Sequence, residues 1–316
     1  MSEVSDDWRP NASIETLRKR AEIIAEIRTF FTGRGYLEVE TPIMAAFGVT
    51  DVYLENLKVD CMGKTYALQT SPEYHMKRLL AAGSGPIFQI FKAFRDDESG
   101  RWHHPEFSML EWYQPGMTVE GILEEINALF QALSIPTKLK VYTYQALFET
   151  YLCLNPFTVS ISELKSCLNK QDLSHTLNED EQDIDQYLFL LMSYVIEPEL
   201  AKETAPIAVT DFPISQASLA RIEAGRAKRF EVYYQGIELA NGFDELTDAD
   251  EQLARFKHDQ AIRKQKGLTV PEIDTRLVSA LQSGLPESCG IALGLDRLVA
   301  LLLQQDNLKA VTSFSN

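Results

Sequence analysis

The length, composition and charge of the chain set the first limits. It has 316 residues, of which 45% are hydrophobic and 24% charged, which suffices for one large core or one core with an inserted subdomain. No apolar run approaches the roughly 18 residues of a membrane-spanning helix, and the polar, acidic start MSEVSDDWRP is unlike a targeting segment. The net charge of −16 argues weakly against a nucleic-acid partner, because phosphate binding depends on Lys and Arg. We therefore expect a cytoplasmic protein with no membrane partner.

Motifs for several common chemistries are absent from the sequence. The four cysteines are widely spaced and form no CxxC pair, so we expect reduced or buried thiols rather than a zinc site or a disulfide framework. The five histidines form no HExxH motif, and the glycines form neither GxGxxG nor GxxxxGKS/T. The sequence therefore excludes the Rossmann and P-loop solutions to phosphate binding.

The first elements in chain order are a helix and an edge strand. Residues 13–32 have apolar side chains at helical spacing, and Ser13 suits the N-cap of an amphipathic helix. An extended, alternating segment follows over 36–40. Thr41-Pro42 closes it, and a proline at that point favours a strand at the edge of a sheet over a central one.

A second helix, a hairpin and a third helix follow. Ser71-Pro72-Glu73 suits a helix start, with serine at the N-cap and proline at the first helical position, and Gly83 suits the helix end. Residues 86–95 and 106–113 are apolar and aromatic, and predict two antiparallel strands joined by a long polar loop. Residues 118–133 predict another helix.

The second half of the chain continues with strands and helices that do not alternate regularly. We expect a small helical insertion at about 140–200, which contains an acidic, solvated run. The remaining predicted elements are a strand at 205–212, a hairpin of 230–234 and 237–243, a strand at 284–295 and a helix at 296–303. The pattern indicates an α+β fold, in which an antiparallel β-sheet is flanked by helices.

Three segments, in this order, resemble the three signature motifs of class II aminoacyl-tRNA synthetases. The first is GYLEVETP at 35–42. The second is FRDDE at 94–98 followed by HHPEFSMLE at 103–111, and the third is GIALGLDRL at 290–298. The resemblance covers nearly the whole chain and is weakest across 140–200. It implies that residues 1–316 form a single class II synthetase-like catalytic domain with that insertion.

Within the class, the chain resembles the lysyl-tRNA synthetase subgroup most. The similar segments are SPE at 71–73, PEFSMLE at 105–111 and ELANGFDEL at 238–246. Lysyl-tRNA synthetases carry an N-terminal OB-fold that reads the anticodon. Here the first motif helix begins near residue 13, so we expect no anticodon-binding domain.

This combination resembles the paralogues of the subgroup that attach (R)-β-lysine to elongation factor P. The similarity extends to 71–80, to QASLA at 216–220 and to RFEVYY at 229–234. It implies an ATP-dependent ligase that forms a β-lysyl adenylate and transfers the acyl group to the ε-amine of a lysine on elongation factor P. It also implies a homodimer, because the first class II motif usually builds the dimer interface.

The resemblance assigns catalytic roles to two arginines and further roles to their neighbours at the ATP end of the site. Arg95 would hold the α-phosphate and the amino-acid carboxylate, and Arg297 the γ-phosphate, because the planar guanidinium bonds phosphate oxygens bidentately. Glu231 and Glu238 would bind Mg²⁺ as hard carboxylate ligands, and Gly294 would let the backbone approach the adenosine. The other positions implied to contact ATP are Asp96, Asp97, His104, Phe107, Glu238 and Leu239.

The amino-acid pocket needs anions for two ammonium groups, since burying an unpaired ammonium costs several kcal/mol. By resemblance, Glu73 would meet the amine near the carboxylate end and Glu245 the side-chain ammonium. Tyr113 would add a hydrogen bond, and Phe243 would cover the aliphatic stem. Glu111, Ser71 and Pro72 complete the implied substrate contacts. No Ser, Cys or His nucleophile is required, because the adenylate is already an activated acyl group.

Because of two departures from the family pattern, the sequence does not assign every ATP contact to one residue. The family commonly has Asn-Glu where this chain has Asp96-Asp97, and Asn where it has His104. Asp97 is one methylene shorter than Glu, so either Asp97 or Glu98 in a shifted loop would reach ATP. The residues alone do not choose between α- and β-lysine. The rival interpretations are a truncated synthetase that charges tRNA or a free amine, and a non-catalytic synthetase-like regulator.

Overall fold

A computed structural model describes residues 8–96, 100–135 and 137–315. The strands within this part of the chain are β1 Leu37–Glu38, β2 Met44–Ala45, β3 Lys58–Cys61, β4 Lys64–Leu68, β5 Ile87–Phe94, β6 Glu106–Pro115, β7 Lys140–Thr143, β8 Ile207–Phe212, β9 Ile222–Glu223, β10 Arg226–Tyr234, β11 Ile237–Asp244 and β12 Ser288–Gly294. The α-helices are α1 Ile14–Thr32, α2 Glu73–Ala81, α3 Val119–Ala132, α4 Tyr144–Leu152, α5 Ile161–Lys170, α6 Ile184–Leu191, α7 Glu197–Leu200, α8 Ala249–Gln265, α9 Thr275–Gln282 and α10 Leu295–Leu302.

Side-chain caps start the helices close to the predicted residues. The Ser13 hydroxyl accepts a hydrogen bond from the Thr16 amide at 3.1 Å, which confirms the predicted start of α1. The start of α2 differs by one residue, because Pro72 is its N-cap and Glu73 its first helical residue. The Ser71 hydroxyl still accepts a hydrogen bond from the Glu73 amide at 3.0 Å. It therefore satisfies a backbone N–H in the first turn of α2, although Ser71 lies one residue before the N-cap.

The main sheet is mostly antiparallel, which confirms the predicted α+β class. Its strand order is β1-β5-β6-β12-β11-β10-β8-β7, with β9 beside β10. The outermost pairs, β1 with β5 and β7 with β8, are parallel. The predicted edge strand is therefore confirmed as β1. A second sheet within the described residues has the order β2-β4-β3.

The two faces of the main sheet are covered differently. The first face carries the largest hydrophobic core, built with α1, α3 and α10 around residues such as Phe31, Trp112 and Leu298. The second face is covered at one end by α2, α8 and α9 and at the other by α4, α5 and α6. Between these layers lies a small apolar cluster drawn only from strands, the central strip. It consists of Phe91, Ala93, Met109, Phe107 and Ala292.

The predicted helical insertion at about 140–200 begins differently in the structure. Residues 140–143 form β7, which pairs with β8 in the main sheet, so the helical part starts at Tyr144. The helices α4 to α7 share one core with side chains of β8 and β10, such as Val209 and Tyr233. A π-helix at Met192–Ile196 leads directly into α7. This segment thus packs on the sheet over β8 and β10.

Across 8–96, 100–135 and 137–315, no helix combines the length and apolar character that membrane crossing requires.

Candidate active site

Strand register brings the predicted site residues onto one face of the sheet. Residues directly opposite in antiparallel strands project to the same side. One row crosses four strands as Glu111, Ala292, Asn241 and Glu231. The neighbouring row consists of Tyr113, Gly290, Phe243 and Arg229. Because Ala292 belongs to the central strip, both rows lie on the second face, between the two helical layers.

A buried carboxylate occupies the β6 end of these rows. Glu111 is 1% exposed and accepts hydrogen bonds from the Ser71 hydroxyl at 2.8 Å and the Tyr113 hydroxyl at 2.7 Å. Burial, followed by the charge of nearby Glu73, raises the pKa of Glu111 to about 8. Pro72, the N-cap of α2, stands between Ser71 and Glu73. The structure therefore brings Ser71, Glu73, Glu111 and Tyr113 together.

Glu245 completes this group from the loop after β11. Its amide bonds to the Ser288 carbonyl at 2.9 Å, and its side chain is 1% exposed. One carboxylate oxygen lies 2.5 Å from Lys77 Nζ, yet neither oxygen has a well-directed hydrogen-bond donor among the described residues. Burial raises the pKa of Glu245, and Lys77 opposes that rise. A buried carboxylate without full hydrogen bonding has capacity for a donor from a bound ligand.

Glycine at position 290 makes room for this pocket. A Cβ there would lie 2.2 Å from Tyr113 Cε1 and 2.4 Å from Glu245 Oε1, far closer than real Cβ contacts. Tyr113 and Glu245 therefore occupy space that only a glycine on β12 leaves open. Phe243 stands opposite Gly290 on β11 and is half-buried, which suits the predicted cover for an aliphatic chain.

Arg297, in the first turn of α10, is fixed by three contacts. Its Nη1 donates to the Glu238 carbonyl at 2.8 Å and its Nε donates to the Trp102 carbonyl at 3.2 Å. Its Nη2 lies 2.8 Å from His103 Nε2. These contacts join the third motif to the loop of the second motif. The histidine that meets Arg297 is His103, whereas the sequence had pointed to the half-buried His104 as the ATP contact.

The other predicted ATP residues occupy different environments. The Arg95 guanidinium lies 5.1 Å from the centroid of the Phe107 ring, at the edge of the central strip. Asp96 is exposed, and its amide donates to the Glu55 carbonyl at 3.4 Å. The Leu239 side chain is packed in the main hydrophobic core, so only its backbone could contact ATP. Asp97 lies outside the described residues.

The proposed metal ligands Glu231 and Glu238 come from paired strands. A register shift between Val232 and Tyr233 sets Tyr233 opposite Glu238. Glu231 accepts from the Tyr233 hydroxyl at 2.5 Å and from Arg229. Burial, followed by the charge of Glu231, raises the pKa of Glu238, so a cation would relieve this repulsion.

These two carboxylates fit Mg²⁺ bound to a nucleotide. Magnesium is usually held by one or two carboxylates together with substrate phosphates and water. In the described ranges, no group of three or more His, Cys, Asp or Glu is arranged to hold a metal ion. Glu231 and Glu238 would therefore hold the ion together with phosphate oxygens of ATP.

The sequence analysis missed three residues of this face. Lys77 follows Glu73 by one helical turn, and its ammonium lies 2.7 Å from the Glu73 carboxylate. Asn241 alternates with Phe243 along β11, so the two-residue period of a strand could have identified it. Its side-chain oxygen is buried with no hydrogen-bond partner in the described part of the chain. Arg229 pairs with Glu231. Both lie in the RFEVYY segment at 229–234, but the resemblance gave Arg229 no role.

The substitution Gly294→Ala tests the contact with ATP without disturbing the fold. Gly294 has an ordinary φ of −68°, and an added Cβ would approach no described atom closer than Arg297 Cδ at 3.4 Å. Gly294→Ala should therefore fold normally, yet raise the KM for ATP about tenfold, roughly 1.4 kcal/mol, if adenosine lies against this backbone. Steady-state kinetics and a thermal melt check this. Gly290→Ala is the contrasting variant, because it should damage the amino-acid pocket. An unchanged KM for ATP in Gly294→Ala would contradict the assignment.

Stability of the ligand-free protein should fall as pH rises. The folded-state pKa of Glu111 is raised to about 8 from an ordinary value of 4.5. The free-energy cost of burying its negative charge is therefore absent below pH 4.5 and greatest above pH 8. Between pH 6 and 8 the wild-type protein should lose on the order of 1–3 kcal/mol of stability through this group, and Glu111→Gln should remove that loss. The difference corresponds to a few degrees in melting temperature. Glu106→Gln, on the exposed start of β6, is the matched control. Parallel pH profiles for wild type and Glu111→Gln would contradict the raised pKa.

The fold and this site define the class of protein. The chain belongs to the class II tRNA synthetase family: the family model described as tRNA synthetases class II (D, K and N) matches residues 4–316. Within that class, it is similar to proteins named elongation factor P–(R)-β-lysine ligase. The protein of Histophilus somni (strain 2336) is 47% identical over 99% of this chain and 98% of its own length. That of Vibrio cholerae serotype O1 is 48% identical over 98% of both chains.

Proposed function

We propose that this protein is an ATP-dependent ligase that activates (R)-β-lysine, or lysine, and transfers it to the ε-amine of a lysine on elongation factor P. Family membership and the names of the relatives support this reaction. The observation that carries the substrate class is the pocket of Glu73, Glu111 and Glu245. Glu111 and Glu245 are buried, and the Glu245 oxygens have unused acceptor capacity. A group of carboxylates of this kind suits a ligand that brings two ammonium groups.

The first half-reaction forms the adenylate. A carboxylate oxygen of the amino acid attacks the α-phosphorus of ATP, a new P–O bond forms, and the bond to the leaving pyrophosphate breaks. Arg95 and Arg297 act by holding phosphate oxygens as negative charge moves between them. The Arg95 guanidinium lies beside Phe107 of the central strip, and the Arg297 guanidinium contacts the Trp102 carbonyl in the loop of the second motif. Mg²⁺ held by Glu231 and Glu238 would neutralise further phosphate charge.

The second half-reaction transfers the acyl group. The acceptor ε-amine attacks the carbonyl carbon of the adenylate, the C–O bond to AMP breaks, and the nitrogen loses a proton as the amide forms. The amino-acid pocket holds the ammonium groups of the acyl part during both steps. Because orientation alone contributes much to such reactions, the chain needs no covalent intermediate of its own.

The proposed assembly is a cytoplasmic homodimer that contacts its partner copy through the first-motif region. Large apolar side chains are exposed there, at Leu37 on β1 and at Ile43 and Met44 around β2. A cluster of exposed apolar residues is typical of a protein interface. Sedimentation equilibrium tests this: a monomer at micromolar concentration, or a dimer unaffected by Leu37→Glu, would contradict it.

The substrate class is tested by exchange of labelled pyrophosphate into ATP. We expect exchange with (R)-β-lysine and, more weakly or equally, with lysine. Norleucine has the same carbon chain as lysine without the ε-ammonium, so it should give exchange only at background level. Exchange that depends equally on norleucine would contradict the role of the carboxylate pocket. No exchange with any diamino acid would contradict the ligase proposal itself.

A further inference from the structure

The pocket already contains an ammonium group of the protein. Lys77 Nζ lies 2.7 Å from a Glu73 carboxylate oxygen and 2.5 Å from a Glu245 oxygen, and the Lys77 side chain is 2% exposed. Burial alone would lower the pKa of Lys77, but the two carboxylates outweigh it and raise that pKa, so the ammonium is charged. Lys77 therefore bridges the two carboxylates that the substrate ammonium groups are proposed to meet.

Helix geometry explains why the bridge forms. Residues four apart on a helix stand on the same face, so α2 presents Glu73 and Lys77 to the pocket together. Glu245 then comes from the opposite wall, after β11. A lysine stem can be buried while its charged end reaches a partner, and this ammonium finds two partners.

We propose that Lys77 is a positioning residue for recognition of the diamino acid: its ammonium holds the Glu245 carboxylate in place and favours its charged form, so that Glu245 can meet an ammonium group of the substrate. The inference deepens the proposed function and rests on it. Lys77 opposes the rise in the pKa of Glu245 that burial causes. It therefore favours the carboxylate form of Glu245, which binds an ammonium group best.

The surroundings of Glu245 explain why a counter-charge is needed. The titratable groups that interact electrostatically with Glu245 are Glu73 and Lys77 from α2, Glu111 and Tyr113 from β6, and the buried Cys289 thiol of β12. Lys77 is the one cation in this set. Without it, burial and the two neighbouring carboxylates would raise the pKa of Glu245 further and favour its protonated form. A neutral carboxyl group binds an ammonium far more weakly than a carboxylate does.

Lys77→Met tests the inference, because methionine keeps much of the side-chain volume and removes the charge. At pH 7 we expect the KM for the diamino acid in pyrophosphate exchange to rise about tenfold or more. The KM for ATP should change little. From pH 7 to 9, the KM of the variant for the diamino acid should fall more steeply than that of wild type, as Glu245 ionises. Lys140→Met is the control, since Lys140 pairs with Glu203 at 2.7 Å on the exposed surface.

A second variant covers the case in which a lone buried carboxylate prevents folding. Lys77→Met combined with Glu245→Gln removes both charges, and replacing a buried pair by neutral groups is usually tolerated. Because Lys77 acts through Glu245, the double variant should have a KM for the diamino acid within about twofold of Glu245→Gln alone. Losses that multiply would overturn the inference. So would a Lys77→Met variant whose loss is independent of pH, or falls equally on the KM for ATP.

Different experimental results would contradict the proposed function and the proposed role of Lys77. If wild-type protein shows no exchange with any diamino acid, the proposed function fails and the role of Lys77 fails with it. If wild type is active and Lys77→Met keeps a normal KM and a normal pH profile, only the role of Lys77 fails.

Discussion

Replacing Arg297 by alanine should lower kcat for adenylate formation by about 10²–10³-fold, with a higher KM for ATP. Removal of one preorganised donor from a charged transition state typically costs that much. The structure supports a preorganised role, since Arg297 is held by the carbonyls of Glu238 and Trp102 and by His103. Pyrophosphate exchange at varied ATP concentration measures both constants.

Arg297→Lys is the informative comparison for this prediction. Lysine keeps the positive charge but loses the planar fork, so it should recover only part of the lost rate. A thermal melt of each variant separates catalysis from folding. Near-normal ATP kinetics in the alanine variant would remove Arg297 from the γ-phosphate site.

Replacing Glu245 by alanine should strongly reduce exchange that depends on the diamino acid, with at least about a 10²-fold loss in kcat/KM. A site built to bond a charged group loses much of its selectivity when one buried partner is removed. Removal also leaves Lys77 with one carboxylate fewer, because Glu245 lies 2.5 Å from its ammonium. Kinetics with (R)-β-lysine and with lysine check the prediction.

Two further variants sharpen the Glu245 test. Glu245→Gln keeps the shape and removes the charge, and should lose nearly as much activity as the alanine variant. Glu223→Gln removes an exposed carboxylate on β9 and should retain wild-type kinetics. Exchange by Glu245→Ala at a normal KM for the amino acid would show that Glu245 is outside the pocket.

Local rules predicted much of the framework. The cap at Ser13, the helix that starts near residue 118, the hairpin of β5 and β6, and the hairpin around Gly236 follow from short-range sequence patterns. The order of the three motifs also indicated which strands would carry the site. Once β6, β12, β11 and β10 pair, their two-residue period places Glu111 and Glu231 on the same face.

Long-range packing is what the sequence did not reveal. β7 joins the main sheet through parallel pairing with β8, and the partners are separated by more than sixty residues. No local pattern reports such a pairing, so this segment had been predicted as part of a helical insertion. Lys77 is similar: its helical spacing from Glu73 is visible, but its contact with Glu245 depends on how α2 packs against the sheet.

The need for glycine at two positions also depends on tertiary contacts. Gly290 is required because Tyr113 and Glu245 occupy the space above it. Gly236 has a φ of +75°, and a Cβ there would lie 2.6 Å from the Cβ of Ala201, just after α7. The turn at Gly236 is predictable from the hairpin pattern, but the close approach of the insertion to that turn is not.

Intact-mass analysis of unmodified elongation factor P is the most direct test of the proposed ligase. The protein would be incubated with Mg²⁺-ATP and (R)-β-lysine, with lysine tRNA as the acceptor in a parallel reaction and Glu245→Ala as the inactive control. We predict a mass gain of one lysyl group on elongation factor P and no charged tRNA. Charged tRNA with unmodified elongation factor P would contradict the account and indicate a minimal synthetase. No product in either reaction, from a protein that binds ATP, would contradict it in favour of a regulator.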